Sequence, residues 1–293
     1  MEKYGILILI LLIILLVLFF LRSYYERRTL EVNEYIVASE KLPEAFDGFV
    51  CVFLSDLHDA SFGKDNSELI RLIRTIDPDV IFSGGGMTSS HPDRNRHPFE
   101  AFQKIIDAFP EKVFYCANGN HEMRIYRDKR FKGWRKDGDA LMKRPNVVKL
   151  QDSFQTIKRG GEEITVGAVE IEEKYYKKKG RKLPLDEGYI ERHLKKECSG
   201  FTILLCHSPL YMSEMLSYGA SLVLSGHFHG GTVRLPLLGG VMTPQYQFFS
   251  PLCKGRIDEN GGTGIISGGL GTHSINIRFN NKPDVVKIVL KKG

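Results

Sequence analysis

The chain has 293 residues and a mass of 33.3 kDa, with 42% apolar and 26% charged residues. These are ordinary globular proportions, ample for a sizeable core, and they exclude a disordered, collagen-like or coiled-coil chain. Lys and Arg outnumber Asp and Glu by 41 to 35, a mild basic excess that suits an anionic substrate or a membrane surface without requiring nucleic acid.

The first element is the most extreme. Gly5 to Leu21 reads GILILILLIILLVLFFL and carries no charge. At about 1.5 Å per residue a helix of this run is roughly 25 Å long, at the short end of a bilayer span. No small-x-small cleavage site follows. The run passes straight into Arg22-Ser23-Tyr24-Tyr25-Glu26-Arg27-Arg28, so it reads as an uncleaved membrane anchor. Arg22, Arg27 and Arg28 on one flank against Lys3 on the other place the following domain on the cytoplasmic side of the cell membrane. The five cysteines, odd in number and without C-x-x-C spacing, agree with a reducing compartment and argue against a disulfide framework or a cysteine zinc site. The chain then divides into an anchor with its flanks (1–28), a linker (29–44) and one domain (45–293).

Within that domain apolar runs and turn signals alternate as in an α/β sheet protein. Phe49–Leu54 reads as a strand, Ser67–Ile76 as a helix, Val80–Phe82 as a strand and Phe99–Phe109 as a helix. Val113–Cys116, Ile164–Val169, Thr202–Cys206 and Leu222–Leu224 read as further strands. The tail, with Gly264–Ser267, Ser274–Phe279 and Val285–Leu290, reads as antiparallel strands, and no internal repeat is evident.

Polar chemistry sits where these strands give way to loops. Asp56-x-His58 follows the first strand, Gly84-Gly85-Gly86 the second, and Gly119-Asn120-His121-Glu122 the third. His207 and Gly226-His227-x-His229 follow the later ones. Ligands of open α/β sheets gather outside the carboxyl ends of the strands, so residues far apart in sequence can converge there. Imidazoles mixed with carboxylate suit Zn, Fe or Mn better than Mg or Ca, which prefer oxygen shells.

This set resembles the calcineurin-like metallophosphoesterase superfamily, whose motifs run D-x-H, G-D, G-N-H-[DE], H and G-H-x-H. The likeness extends over about residues 50 to 235. With the anchor, SDLH and GHFHGG, the chain looks most like the membrane-associated bacterial subgroup that includes UDP-2,3-diacylglucosamine pyrophosphatase-like phosphoesterases. The resemblance implies a four-layer αββα sandwich with two mixed sheets and a dinuclear metal centre. Carried over residue by residue, Asp56, His58 and His229 would hold the first divalent ion, and Asn120, His207 and His227 the second. His121 would lie near the phosphoryl group. Mn2+, Fe2+ and Zn2+ all suit such a set, and the implied substrate is a phosphoester or pyrophosphate, including that of a lipid or nucleotide-lipid.

One position departs from the pattern. Where the family places a bridging aspartate, this chain has Ser83-Gly84-Gly85-Gly86-Met87. Gly86 takes the aspartate position, with Gly85 the alternative. Asp56 is then the only carboxylate among the matched ligands, leaving two divalent ions and one hydroxide at about +2, where even an outer-shell loss weakens metal binding or activity roughly 10–100-fold. Three readings stay open: an impaired phosphoesterase, a working enzyme in which Asp59, His91, Asp93, water or phosphate substitutes, or an altered copy of an active parent. The competing functional class is a non-catalytic binding or regulatory protein on the same fold.

Arg124–Lys136 is basic with Tyr126, Phe131 and Trp134 interleaved, and reads as a contact for an anionic headgroup, lipid phosphate or nucleic acid, as a solvated helix with aromatics packed inward, or as a cleft wall. Lys174–Lys182 reads as an exposed loop. Leu235–Gly240 and Tyr246–Phe249 read either as an apolar lip beside the site or as core packing. Gly271-Thr272-His273 reads either as a segment that approaches the site or as one with a structural histidine, and His97 and His193 have no assignable role. No nucleic-acid partner is expected, and nothing specifies a protein partner.

Overall fold

The computed structural model describes residues 2–91, 98–177, 180–195, 197–272 and 275–293. In chain order these form α1 (Glu2–Glu26), β1 (Glu31–Ser39), β2 (Val50–Leu54), α2 (Ser67–Ile76), β3 (Val80–Ser83), α3 (Glu100–Asp107), β4 (Val113–Ala117), α4 (Asn120–Arg127) and α5 (Lys132–Met142). There follow β5 (Val147–Leu150), β6 (Ser153–Arg159), β7 (Glu162–Ala168), α6 (Tyr189–Leu194), β8 (Thr202–Leu205), α7 (Met212–Ser217) and β9 (Leu222–Ser225). The chain closes with β10 (Arg234–Leu235), β11 (Gly239–Gly240), β12 (Gly255–Glu259), β13 (Gly262–Ile266) and β14 (Asp284–Lys292).

One six-stranded sheet has the order β1-β14-β2-β3-β4-β5, the other β12-β13-β9-β8-β7-β6, and β10 and β11 form a separate hairpin. Both large sheets are mixed. The β2-β3-β4-β5 and β7-β8-β9-β13 runs are parallel, while β14 is antiparallel to β2 and parallel to β1.

Period-two alternation sorts the apolar side chains into three cores. Cys51 and Phe53 of β2 face Ile203 and Leu205 of β8 and Leu222 and Leu224 of β9 between the sheets. Val52 and Leu54 turn outward onto Leu69 and Ile73 of α2 and Phe102, Ile105 and Ile106 of α3. Leu204 and Val223 turn the other way, onto Ile190 of α6 and Met215 and Leu216 of α7. The result is the expected four-layer sandwich.

Two expectations need correction. Residues 29–44 are not a linker, because Glu31–Ser39 is an edge strand in parallel register with Asp284–Lys292, and Val37 is buried in the inter-sheet core. The expected strand Ser274–Phe279 does not form. Ser274 lies outside the described residues, and of the remainder only Phe279 pairs, in a single parallel bridge to Val233.

α1 carries the apolar run, which is not buried, while Ser23 and Glu26 near its end are. It is long and apolar enough to cross a membrane. Its last turns are tied to the domain: Arg278 N donates to Ser23 Oγ (3.1 Å), Asn281 N donates to Glu26 Oε2 (2.9 Å), and Phe279 stacks on Phe19 at 5.0 Å.

Candidate metal centre

The carboxyl ends of β2, β3 and β4 in one sheet and of β8 and β9 in the other meet at a single place. There Asp56 is fully buried, and His207, His227, His229 and His121 are nearly so. Asp56 Oδ1 stands 3.7 Å from His58 Nε2, 3.7 Å from His207 Nε2 and 3.6 Å from His229 Nε2. His58 Nε2 and His229 Nε2 are 3.2 Å apart. His207 Nε2 is 3.2 Å from Asn120 Oδ1, and the His207 and His227 rings are 5.1 Å apart.

The hydrogen bonds behind these rings fix which nitrogen faces inward. His207 Nδ1 donates to Gly84 O (2.8 Å) and His229 Nδ1 donates to Gly271 O (3.1 Å). A carbonyl only accepts, so both rings carry their proton on Nδ1 and present an Nε2 lone pair to the centre. Lone pairs gathered around a carboxylate fit a cation: ligand atoms about 2.1 Å from a shared ion stand about 3.0–3.4 Å apart. Asp56 Oδ1, buried without a hydrogen-bond partner among the described residues, aims into this space, while Oδ2 accepts from His227 N at 2.8 Å. Burial opposes ionisation of Asp56, but the positive charge that His229, His207 and His58 carry when protonated in the absence of metal outweighs it and holds the carboxyl well below its ordinary range.

Backbone strain marks the same residues. Asp56, His58, His227 and His229 all have positive φ, between 47° and 68°, a conformation that persists only where the surroundings enforce it. The glycine loop after β3 does so. Gly85 O accepts from Asp56 N and Gly86 O from His58 N, both at 2.9 Å, and Gly84 O holds His207. Glu122 clamps the loop: its carboxylate accepts from the backbone N–H groups of Gly86 (2.9 Å), Met87 (2.7 Å), Thr88 (3.3 Å) and Gly119 (2.9 Å).

The geometry separates the two glycines considered for the bridging position. A Cβ on Gly85 would lie 2.2 Å from Gly119 N, whereas one on Gly86 would lie 2.8 Å from Asp56 Oδ1. Only Gly86 faces the centre. Of the residues considered as substitutes, Asp59 is engaged elsewhere, with Oδ2 accepting from Thr88 Oγ1 (2.9 Å) and Ser89 N (2.8 Å). Burial raises its carboxyl to about 6. The His91 ring is 5.8 Å from that of His121. Asp93, like His97 and His273, lies outside the described residues.

His121 sits at the start of α4, its ring 4.7 Å from that of His58. Ser90 N donates to His121 Nδ1 at 3.0 Å, which leaves the neutral ring's proton on Nε2. Arg124, one turn on, reaches Ser90 Oγ (3.3 Å) and brings a cation to this rim.

Three contributors escaped the sequence reading. Glu122 belongs to the G-N-H-E motif, but its clamping of the glycine loop does not show in the motif. Tyr176, in the run expected as an exposed loop, packs its ring edge-on against His227 at 4.8 Å. Arg278 is fully buried; burial pulls its guanidinium down to about 10, and it donates to the carbonyls of Gly268, Gly269, Gly271 and Asn281. No local pattern announces such a residue. Elsewhere Phe131 is buried in the outer core with Trp134 packed against it, so these two of the three Arg124–Lys136 aromatics turn inward. His193 pairs with Asp152 at 2.8 Å, away from the centre.

An α/β sandwich with histidines and a carboxylate converging at the strand ends defines a metal-binding phosphoesterase architecture. The calcineurin-like phosphoesterase family model matches residues 49–231, and the chain belongs to that family, whose members bind divalent metals. It is 27% identical over 276 residues to the uncharacterized metallophosphoesterase YkuE of Bacillus subtilis, covering 92% of this chain and 88% of that one. It is also 27% identical over 265 residues to a zebrafish (Danio rerio) protein named as a transmembrane protein with a metallophosphoesterase domain, covering 87% of this chain and 56% of that protein. Among solved structures it is similar to TT1561 of Thermus thermophilus, with a TM-score of 0.45 and 13% identity, over 75% of this chain and 89% of that one.

Proposed function

We propose that this protein is a membrane-anchored, metal-dependent phosphoester hydrolase with its domain on the cytoplasmic side. In this reading Asp56, His58 and His229 hold one divalent cation, and Asn120, His207 and His227 a second. Bound divalent cations would supply Lewis acidity and a water activated at neutral pH. The chain's own groups do the rest. Asp56 supplies the one carboxylate of the matched ligand set, and Gly84 and Gly271 orient His207 and His229 with their lone pairs inward. His121, held through Nδ1 by Ser90, offers its Nε2 proton to a phosphoryl or leaving oxygen, and Arg124 adds positive charge at the rim.

The observation that carries this reading is the approach of three imidazole Nε2 atoms to within 3.7 Å of a single buried carboxylate oxygen. The substrate class is a phosphomonoester, phosphodiester or pyrophosphate, including one borne by a lipid. Gly86 favours a second reading, a binding or regulatory protein that keeps the fold without turnover. Metal analysis and hydrolysis of a bis-aryl phosphate in excess Mn2+ separate the two. Stoichiometric metal with turnover lost in Asp56→Asn supports the hydrolase. Absence of both metal and hydrolysis supports the second reading.

A further inference from the structure

The anchor's apolar run is short. From Gly5 to Leu21 it provides roughly 25 Å against a hydrocarbon core of about 30 Å, so spanning leaves none of it to spare. Yet the domain already grips this run: Phe279 stacks on Phe19, and Ser23 and Glu26, on the same helix face, bond to the 278–281 segment. Phe279 therefore sits at the depth of Phe19, inside the end of the apolar run.

Phe279 is also the neighbour of the β10–β11 hairpin. It bridges to Val233, and Arg234 N donates to Phe279 O at 2.9 Å. The hairpin thus starts at the same level as the top of the helix. It carries Leu235, Leu237 and Leu238 outward, with Leu237 wholly exposed. The segment that returns beside β11, through the Met242–Phe248 bridge and Phe249 N donating to Val241 O, exposes Phe248 and Phe249. Leu237 and Phe249 hold positive φ, 66° and 52°, a conformation rare for bulky side chains. Strain here presents apolar groups to the outside instead of burying them.

Between helix and domain lies an apolar cleft of about 550 Å3, lined by Leu15, Leu18, Phe19, Arg22, Phe279 and Asn280. Beyond the apolar run come Tyr24, Tyr25, Arg27 and Arg28, with both tyrosines exposed and the Arg28 guanidinium 3.7 Å over the Tyr24 ring. Tyr and Arg of this kind belong at the headgroup level.

We infer that the β10–β11 hairpin and the Phe248–Phe249 segment insert into the lipid bilayer beside the helix, as a second membrane contact. The inference rests on the reading of α1 as an anchor, extends it to the domain, and makes up the span that the helix alone lacks. It also fixes the domain against the membrane close to the metal centre, since His229 precedes the hairpin by one short turn.

The test uses the full chain reconstituted in phosphatidylcholine vesicles, with and without bromine on the acyl chains. Trp134 is the only tryptophan, so a Trp134→Phe background receives single reporters: Leu237→Trp or Phe248→Trp for the lip, Ile13→Trp for the helix. Insertion to the acyl boundary, about 5–10 Å deep, predicts about twofold quenching of the lip reporters by brominated lipid. Quenching of Ile13→Trp with both lip reporters unaffected overturns the lip and leaves the anchor standing. Quenching of the lip reporters alone removes the spanning helix and with it the inference, which places the lip beside that helix as a second contact. No quenching at any position overturns both. Lip emission that is blue-shifted but indifferent to bromine overturns the proposal in favour of a contact between copies.

Discussion

Replacing Gly86 by aspartate perturbs the centre in two opposite directions. A Cβ there would lie 2.8 Å from Asp56 Oδ1, on a backbone with φ of 68°. A non-glycine residue in this region costs about 1 kcal/mol. Two carboxylates some 4 Å apart repel by about 4 kcal/mol at an effective dielectric constant near 20, so without metal the pair retains a shared proton. In EDTA, Gly86→Asp is therefore expected to be destabilised by about 3–5 kcal/mol and to melt roughly 10 °C lower than the parent. With divalent cation the sign reverses. The second carboxylate lowers the uncompensated charge from about +2 to about +1, and metal affinity should rise at least 10–100-fold, or about 1.4–2.8 kcal/mol. Thermal melts in EDTA and in Mn2+, elemental analysis after desalting, and hydrolysis of a bis-aryl phosphate read out each part. If parent and variant bind equal metal, turn over alike and melt alike in both buffers, Gly86 does not occupy the bridging position.

Other perturbations have distinct signatures. Glu122→Ala leaves four buried backbone N–H groups without their carboxylate, and urea denaturation should show a loss of about 3–5 kcal/mol, with weaker metal binding as the glycine loop loosens. His121→Asn should lower kcat by about 10²–10⁴ while elemental analysis finds unchanged metal, because in the proposed reading His121 would serve the phosphoryl group and not a cation. Asp59, raised by burial to about 6, binds more protons folded than unfolded between about pH 4 and 6. Its contribution is complete below the unfolded pKa and is lost as pH rises through the folded one. Asp59→Asn removes that loss, so in EDTA the variant should gain roughly 1 kcal/mol on the parent between pH 5 and 7.5. An unchanged difference across that range would contradict the burial argument.

How much of this was legible in the sequence depended on the range over which each signal acts. Short buried strands flanked by glycine and histidine announce themselves locally, so β2, β3, β4, β8 and β9 and the polar groups at their ends could be read directly. β1 could not. Its sequence EVNEYIVAS mixes charges into an edge strand, and its partner β14 lies some 250 residues away. The opposite error occurred at Ser274–Phe279, where β-prone residues are drawn instead into bonds with the helix end and with Val233. The glycine triplet could be read as a departure from a motif, but not as the backbone scaffold of Asp56, His58 and His207, which requires the folded loop. Arg278 and Glu122 act through backbone carbonyls and amides that no side-chain pattern encodes.

The most direct measurement is anomalous diffraction from crystals of the full chain soaked in Mn2+. The expected result is a manganese peak about 2.1 Å from Asp56 Oδ1, His58 Nε2 and His229 Nε2, with a second between Asn120, His207 and His227. A map with no peak among these side chains, or with manganese bound only elsewhere, would contradict the metal centre on which the proposed chemistry rests.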